Sequence, residues 1–249
     1  MIRRRSPDLL LFEPDDLLQG RLQFLASGEL ETLHGVMAWV RTEVCRQHEE
    51  LGRRGPVCPF VRPSLEKKHA FYLAAWRAAP AASEALLDAM LAYRDWFLEL
   101  EPDGASERNF KTILVTFPSA GSVGGGWVEA VQKRLKPLFV PLGLMIGQFY
   151  PECLEPGLHN PSFRPLAAPF PLLVIRHMQL MDLPFLADDP VFSTAYRKRF
   201  DLRTAEDLAQ CVKRMGIRSL PLGWRSSVER LFGAEIERME REEREERAR

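Results

Sequence analysis

Two histidines and two arginines in one short stretch pose the chemical question. In GLHNPSFRPLAAPFPLLVIRHMQ, residues 157–179, His159 and Arg164 sit in a proline-studded segment, and Arg176 and His177 close an apolar run. A neutral imidazole in apolar surroundings is a good ligand for iron or zinc. A buried guanidinium needs a carboxylate or an anionic ligand. Read as a strand, PLLVIRHMQ puts Leu172, Val174, Arg176 and Met178 on one face and Leu173, Ile175, His177 and Gln179 on the other. Both faces begin apolar, so the strand is expected to be central and buried, with Arg176 and His177 emerging at its end. The plainer alternative pairs Arg176 with an acid such as Asp182, bonds His177 to backbone and leaves His159 as an exposed loop residue.

Upstream, GRRGPVCPF places Cys58 after Arg53 and Arg54. Nearby cations lower a thiol's pKa and make it reactive; without them a cysteine behaves as a small hydrophobe. In CRQH, Cys45 and His48 lie one helical turn apart, and Cys58 follows in a loop. Structural zinc normally wants four ligands at tighter spacing, so a helix face followed by an unrelated cysteine is the simpler reading. The four cysteines, Cys45, Cys58, Cys153 and Cys211, include no C-x-x-C pair, which argues against a disulfide framework and against a zinc ribbon. PSAGSVGGGW carries the glycine-rich turn Gly121–Gly126 between a strand and a helix, a context in which phosphate can sit on backbone amides. Its spacing fits neither a Walker loop nor a dinucleotide fingerprint, and a flexible connection is the alternative.

Elements must position these groups. Leu33, Val36, Met37, Val40 and Val44 recur at helical spacing over residues 31–49, and GRRGPVCPFVRP then breaks the helix. HAFYLAAW reads as a strand, residues 81–100 as a helix and FKTILVTF as a second strand. A helix over residues 127–135 leads to a third strand, LGLMIGQFY, and PLLVIRHMQ is the fourth. Between these last two, residues 151–171 contain six prolines together with Leu158, Phe163, Leu166 and Phe170, too many apolar groups for disorder. A loop of that length in a compact domain is expected to be ordered and functional. Helices follow over residues 189–200 and 204–215, and the chain ends in a charged helix with Glu-to-Arg pairs at i, i+4. The order implies an α+β fold: a central mixed or antiparallel sheet of about four strands covered by helices. The expected division is an N-terminal extension over 1–29, a single α+β domain over 30–225 and the charged C-terminal helix over 226–249.

The 34 basic and 34 acidic side chains cancel, so no overall field favours nucleic acid or an anionic membrane. No apolar run approaches the ~20 residues needed to span a bilayer. The run Leu9–Phe12 is too short for a signal-peptide core, which makes the cytoplasm the default location. A small-molecule substrate is the expected partner, with a homodimer as the candidate assembly.

GRRGPVCPFVRPSL, IGQFYPECLEPGLHNPSFRPL and PFPLLVIRHM together resemble a bacterial domain family of unknown function over residues 52–200. The layout also resembles the YqcI/YcgG-like family, through Cys58-Pro59-Phe60 and a later polar loop leading into a strand. Characterised relatives in that family are heme-dependent N-hydroxylating enzymes acting on amino-acid-like amines, often in natural-product pathways. The resemblance implies an iron-containing oxidoreductase, a monooxygenase of a small amine-containing metabolite that is amino-acid-derived, with heme as cofactor. His159 or His177 would then hold the iron. Arg164 and Arg176 would pair with heme propionates or a substrate carboxylate. Phe163, Phe170 and Phe117 would cover the macrocycle, and Cys58 would belong to the cofactor site. Two other readings stand beside it: a non-catalytic accessory protein that binds an anionic metabolite, and a non-heme metal or thiol enzyme using Cys58.

Overall fold

The computed structural model describes residues 2–6, 9–77, 84–102, 104, 107–120 and 125–233. The chain falls into two compact units, Met1–Phe139 with Leu144–His177, and Val140–Gly143 with Met178–Arg249. The division comes immediately after His177, within the stretch read from the sequence as a single domain.

The first unit opens with a small antiparallel pair, β1 (Arg3–Ser6) and β2 (Leu9–Leu11), and a short helix, α1 (Pro14–Leu18). Then come α2 (Ser27–Trp39), β3 (Phe71–Ala75), α3 (Glu84–Glu99), β4 (Thr112–Thr116), α4 (Gly126–Phe139), β5 (Leu144–Phe149) and β6 (Leu172–His177). The last four strands form a mixed sheet in the order β3-β4-β6-β5. β3 and β4 run parallel, Phe71 opposite Thr112 and Ala75 opposite Thr116. β6 is antiparallel to both neighbours, with Arg176 facing Thr112 on one side and Met145 on the other. This confirms the α+β expectation and the central place of PLLVIRHMQ.

The two sheet faces carry separate cores. On one face α3 contributes Leu86, Met90, Tyr93 and Phe97, and α4 contributes Val128, Val131, Leu135 and Phe139; they close over Ile113, Val115, Leu173 and Ile175. Each set recurs at three- and four-residue spacing, which lines one helix face. On the other face Leu33, Val36 and Met37 of α2, with Val40 beyond it, pack on Leu114, Leu172 and Val174. Fully burying each such side chain is worth about 1.5–3 kcal/mol. The strands are therefore buried on both sides, which explains why they read as unbroken apolar runs.

The first 29 residues, read from the sequence as an extension, also enter this second core. Leu10, Phe12, Leu17, Leu22 and Leu25 are buried in it, and Phe12 exchanges backbone hydrogen bonds with Leu73 at 3.0 and 2.8 Å. β3 would otherwise present an unpaired edge.

In the second unit, α5 (Pro190–Phe200) starts on Asp189, whose carboxylate accepts from the Val191 and Phe192 amides at 2.8 and 3.1 Å. Pro190 occupies the first helical turn, where its missing N–H costs nothing. α6 (Ala205–Arg214) starts in a capping box: Thr204 Oγ1 accepts from Asp207 N, and Asp207 Oδ2 from Thr204 N. Tyr196 is fully buried and donates to the Leu180 carbonyl at 2.7 Å. Residues 224–233 are helical. The charged run after them lies outside the described residues.

Candidate functional site

The helix expected over residues 31–49 begins at Ser27 and changes character before it ends. After Trp39 the backbone widens into one π turn, Val40–Val44, closed by Cys45 N donating to Val40 O at 2.9 Å. π turns of this kind recur at functional sites. His48 then caps a short turn, its Nδ1 accepting from Glu50 N at 3.2 Å. Gly52 follows in the left-handed region, φ +76°, which lets the chain reverse. The Arg53 guanidinium donates to the carbonyls of Arg54, Pro56 and Val57, each at 3.0 Å, so a single side chain gathers its own loop. Val57 N and Cys58 N return to Arg46 O and Val44 O at 2.9 and 3.0 Å. Cys58 ends half-buried beside the end of the π turn.

The long loop between β5 and β6 folds onto this segment. It is ordered from within: Gly157 N donates to Phe163 O at 2.9 Å, and Asn160 Oδ1 accepts from Ser162 N at 2.9 Å. Arg164 donates to the Pro161 and Phe163 carbonyls. Asn160 Nδ2 then donates to Glu50 O at 2.7 Å, and the Phe163 ring lies 4.7 Å from the His48 ring. His159 passes so close to Gly52 that a Cβ there would lie 2.6 Å from the His159 carbonyl oxygen. The loop continues to Phe170, which rests on Gly35 of α2 at a distance that leaves no room for a Cβ. The expectation of an ordered loop holds.

These contacts bring His159 and Phe163 to Arg53 and His48, with Cys58 in electrostatic reach of Arg53, while Arg164 bonds carbonyls of its own loop. Burial, and secondarily the Arg53 charge, hold the His159 imidazole below its ordinary pKa of 6.5, so it is neutral at pH 7. Burial also lowers Arg53, and the nearby Cys58 thiol acts against that shift. The arrangement offers a neutral imidazole, a thiol and a guanidinium within two packed loops.

Arg176 and His177 are placed differently. Alternation along β6 turns Arg176 to the face of Leu172 and Val174, which α2 covers, and His177 to the face of Leu173 and Ile175. His177 is only 6% exposed and its ring lies 5.0 Å from that of Phe97 in α3. The Arg176 guanidinium donates to the His177 carbonyl at 3.1 Å. Cys45 and Val61, on either side of segment 48–58, pack in the core cluster of Leu172 and Val174, so the His159 loop docks on the Arg176 face while His177 faces the other. Phe117 is likewise on the α3 side, in an edge-to-face contact with Trp127 at 5.0 Å. The sequence placed the faces correctly and could not place a loop against one of them.

Sequence reasoning missed Lys111. It lies one step beyond the Thr112–Arg176 pair, is fully buried, donates to Leu100 O at 2.5 Å and stands 4.9 Å from the Phe97 ring centre. Its only signal was a lysine directly preceding an apolar strand. Among the described residues no three His, Cys, Asp or Glu side chains come together as a metal site, Cys45, His48 and Cys58 included. Of the turn Gly121–Gly126, residues 121–124 lie outside the described residues. Gly125 packs directly on Tyr150, whose hydroxyl donates to Glu129 at 2.9 Å. Among the described residues no helix is long and apolar enough to cross a membrane.

No curated protein and no solved structure matches the chain. A family model does, over residues 33–211, a span that contains both packed loops, the whole four-stranded sheet and α5. The chain belongs to the family described as a domain of unknown function, DUF6875.

Proposed function

We propose that the protein is a heme-dependent oxidative enzyme, an N-hydroxylase or related oxygenase of a small amine-containing metabolite, with His159 as the iron ligand. One observation carries this reading: the loop imidazole of His159 is kept neutral by burial beside Arg53, and iron needs an unprotonated ring nitrogen. The resemblance to the YqcI/YcgG-like enzymes supplies the cofactor class. Of the two histidines, His159 is the preferred ligand, because it lies in the loop, whereas His177 is enclosed in the core against Phe97. Bound heme would supply the oxygen chemistry. The chain would supply the nitrogen ligand from His159, anion-pairing capacity from Arg164 and Arg176, and a thiol at Cys58 near Arg53. Phe163 supports the loop through His48.

Thiol chemistry at Cys58 is the second reading, favoured by the Arg53 charge within electrostatic reach of the half-buried sulfur. The deciding experiment is absorption spectroscopy of full-length protein made with iron and a heme precursor. An intense Soret band that His159→Ala abolishes or shifts, and His177→Ala leaves in place, is the expected result. Colourless protein that also fails to take up hemin overturns the heme reading; selective loss of activity on alkylating Cys58 in that protein would favour the thiol.

A further inference from the structure

Cys45 and Cys58 are thirteen positions apart in a sequence without a paired-cysteine motif, yet the fold sets them side by side. Gln47 and Pro56 form an antiparallel bridge, Val57 N donates to Arg46 O at 2.9 Å, and Cys58 N donates to Val44 O at 3.0 Å. The Cys58 amide therefore bonds the carbonyl of the very peptide whose nitrogen belongs to Cys45. Standard peptide dimensions then hold the two α-carbons within about 7 Å. Disulfides bridge α-carbons about 4.4–6.8 Å apart. Independently of the backbone, each thiol lies within electrostatic range of the other. Cys45 is buried and its thiol is pushed up, chiefly by that burial, while Cys58 is half-buried with Arg53 in reach. The other two thiols are elsewhere: Cys153 is in the core with Tyr150, and Cys211 is on α6.

We propose that Cys45 and Cys58 are a reversible peroxide-responsive dithiol, whose disulfide ties the loop of Arg53 to the end of the π turn. Cys58 is the reacting thiol and Cys45 the resolving one. The Cys58 thiolate attacks hydrogen peroxide: an S–O bond forms, the O–O bond breaks, and the departing hydroxide takes up the proton released by the thiol to leave as water. Cys45 Sγ then attacks Cys58 Sγ: the S–S bond forms, the S–O bond breaks, and the second hydroxide leaves as water with the Cys45 proton. Two thiols are oxidised and one peroxide is reduced to two waters. Attack by a small dithiol on the bridge restores both thiols. The step needs no iron, so it goes beyond the heme reading and stands apart from it.

The test is peptide mapping of the full chain in its iron-free form, treated with hydrogen peroxide, alkylated after denaturation and cut with trypsin. Expected are a fall in titratable thiols from four to two, a linked peptide pair covering residues 42–46 and 55–67, and full reversal by dithiothreitol. With Cys45→Ala the reaction should stop at a Cys58 sulfenic acid that dimedone traps; with Cys58→Ala, Cys45 should stay reduced. Three outcomes overturn the proposal in the wild-type chain, where no variant can misfold: a bridge to Cys153 or Cys211, Cys58 sulfinic acid with Cys45 still reduced, or no oxidation of either thiol at peroxide levels that oxidise free cysteine. Because thiols are read without iron, failure here is distinguishable from absence of a Soret band.

Discussion

His159 and His177 place the same ring in opposite settings, and the difference is measurable by pH. Burial and Arg53 hold His159 below 6.5 in the folded chain, whereas the unfolded chain takes up that proton near 6.5. Between the two values the unfolded state binds more protons, so the contribution of His159 is fully present above pH 6.5. It is lost as pH falls through the folded value, and the loss stops below it. The urea midpoint of the wild type should therefore fall relative to that of His159→Gln as pH drops from about 8 to about 5. A difference that stays constant over that range would show the ring to be solvated and ordinary. His177→Ala should act on packing instead, lowering the melting temperature by removing a buried ring from Phe97 without touching a cofactor spectrum. The types and faces of Arg176 and His177 could be read from alternation alone. The environment of His159 could not, because it is made by Gly52 and Arg53, more than a hundred positions away in the sequence.

Among the elements, the two loops meet closely at Gly52. An alanine there meets two separate penalties. The left-handed backbone costs an L-residue about 1–2 kcal/mol. In addition the new Cβ would sit 2.6 Å from the His159 carbonyl, which backbone cannot yield without moving the loop. Gly20 is the control, with a similar φ of +66° and nothing within 4 Å of its would-be Cβ. Gly52→Ala should lower stability by more than Gly20→Ala and should also displace the amide resonances of residues 157–164. Equal losses from the two variants, with those resonances unmoved, would mean that the loops do not bear on one another. Arg53→Lys should loosen the same contact, because one ammonium cannot reproduce a planar fork spread over three carbonyls. Periodicity located α2 and α3, whose buried stripes are regular, while the four sheet strands showed as short apolar runs bounded by turn residues. It missed the π turn, because five residues closing on a wider ring keep the apolar spacing of Val40 and Val44 while changing the hydrogen bonding. The order of the long loop was legible from its apolar content; its docking rests on single contacts such as Asn160 to Glu50 that no local pattern encodes.

At the scale of the molecule, the 34 basic and 34 acidic side chains cancel, so the net charge of the chain favours neither an anionic nor a cationic partner. The larger consequence lies at the N-terminus. LLLF is four residues long, too short to announce itself as an element by periodicity, and the sequence reading set it aside as part of an extension. In the fold Leu10, Leu11 and Phe12 are at most 4% exposed, and Phe12 supplies both backbone bonds that close the free edge of β3. Burial of three such side chains contributes about 5–9 kcal/mol, which is comparable to the whole stability of an ordinary domain at about 5–15 kcal/mol. Removing residues 2–12 should therefore leave the first unit unfolded or aggregated, through the opened core and the bare strand edge together. Phe12→Ala isolates the packing part and should cost about 3–5 kcal/mol while the backbone bonds to Leu73 persist. Circular dichroism and urea unfolding of the two variants give the comparison. A truncated chain that still unfolds cooperatively near the wild-type midpoint would return these residues to the status of an appendage, and both cores would then have to be complete without them.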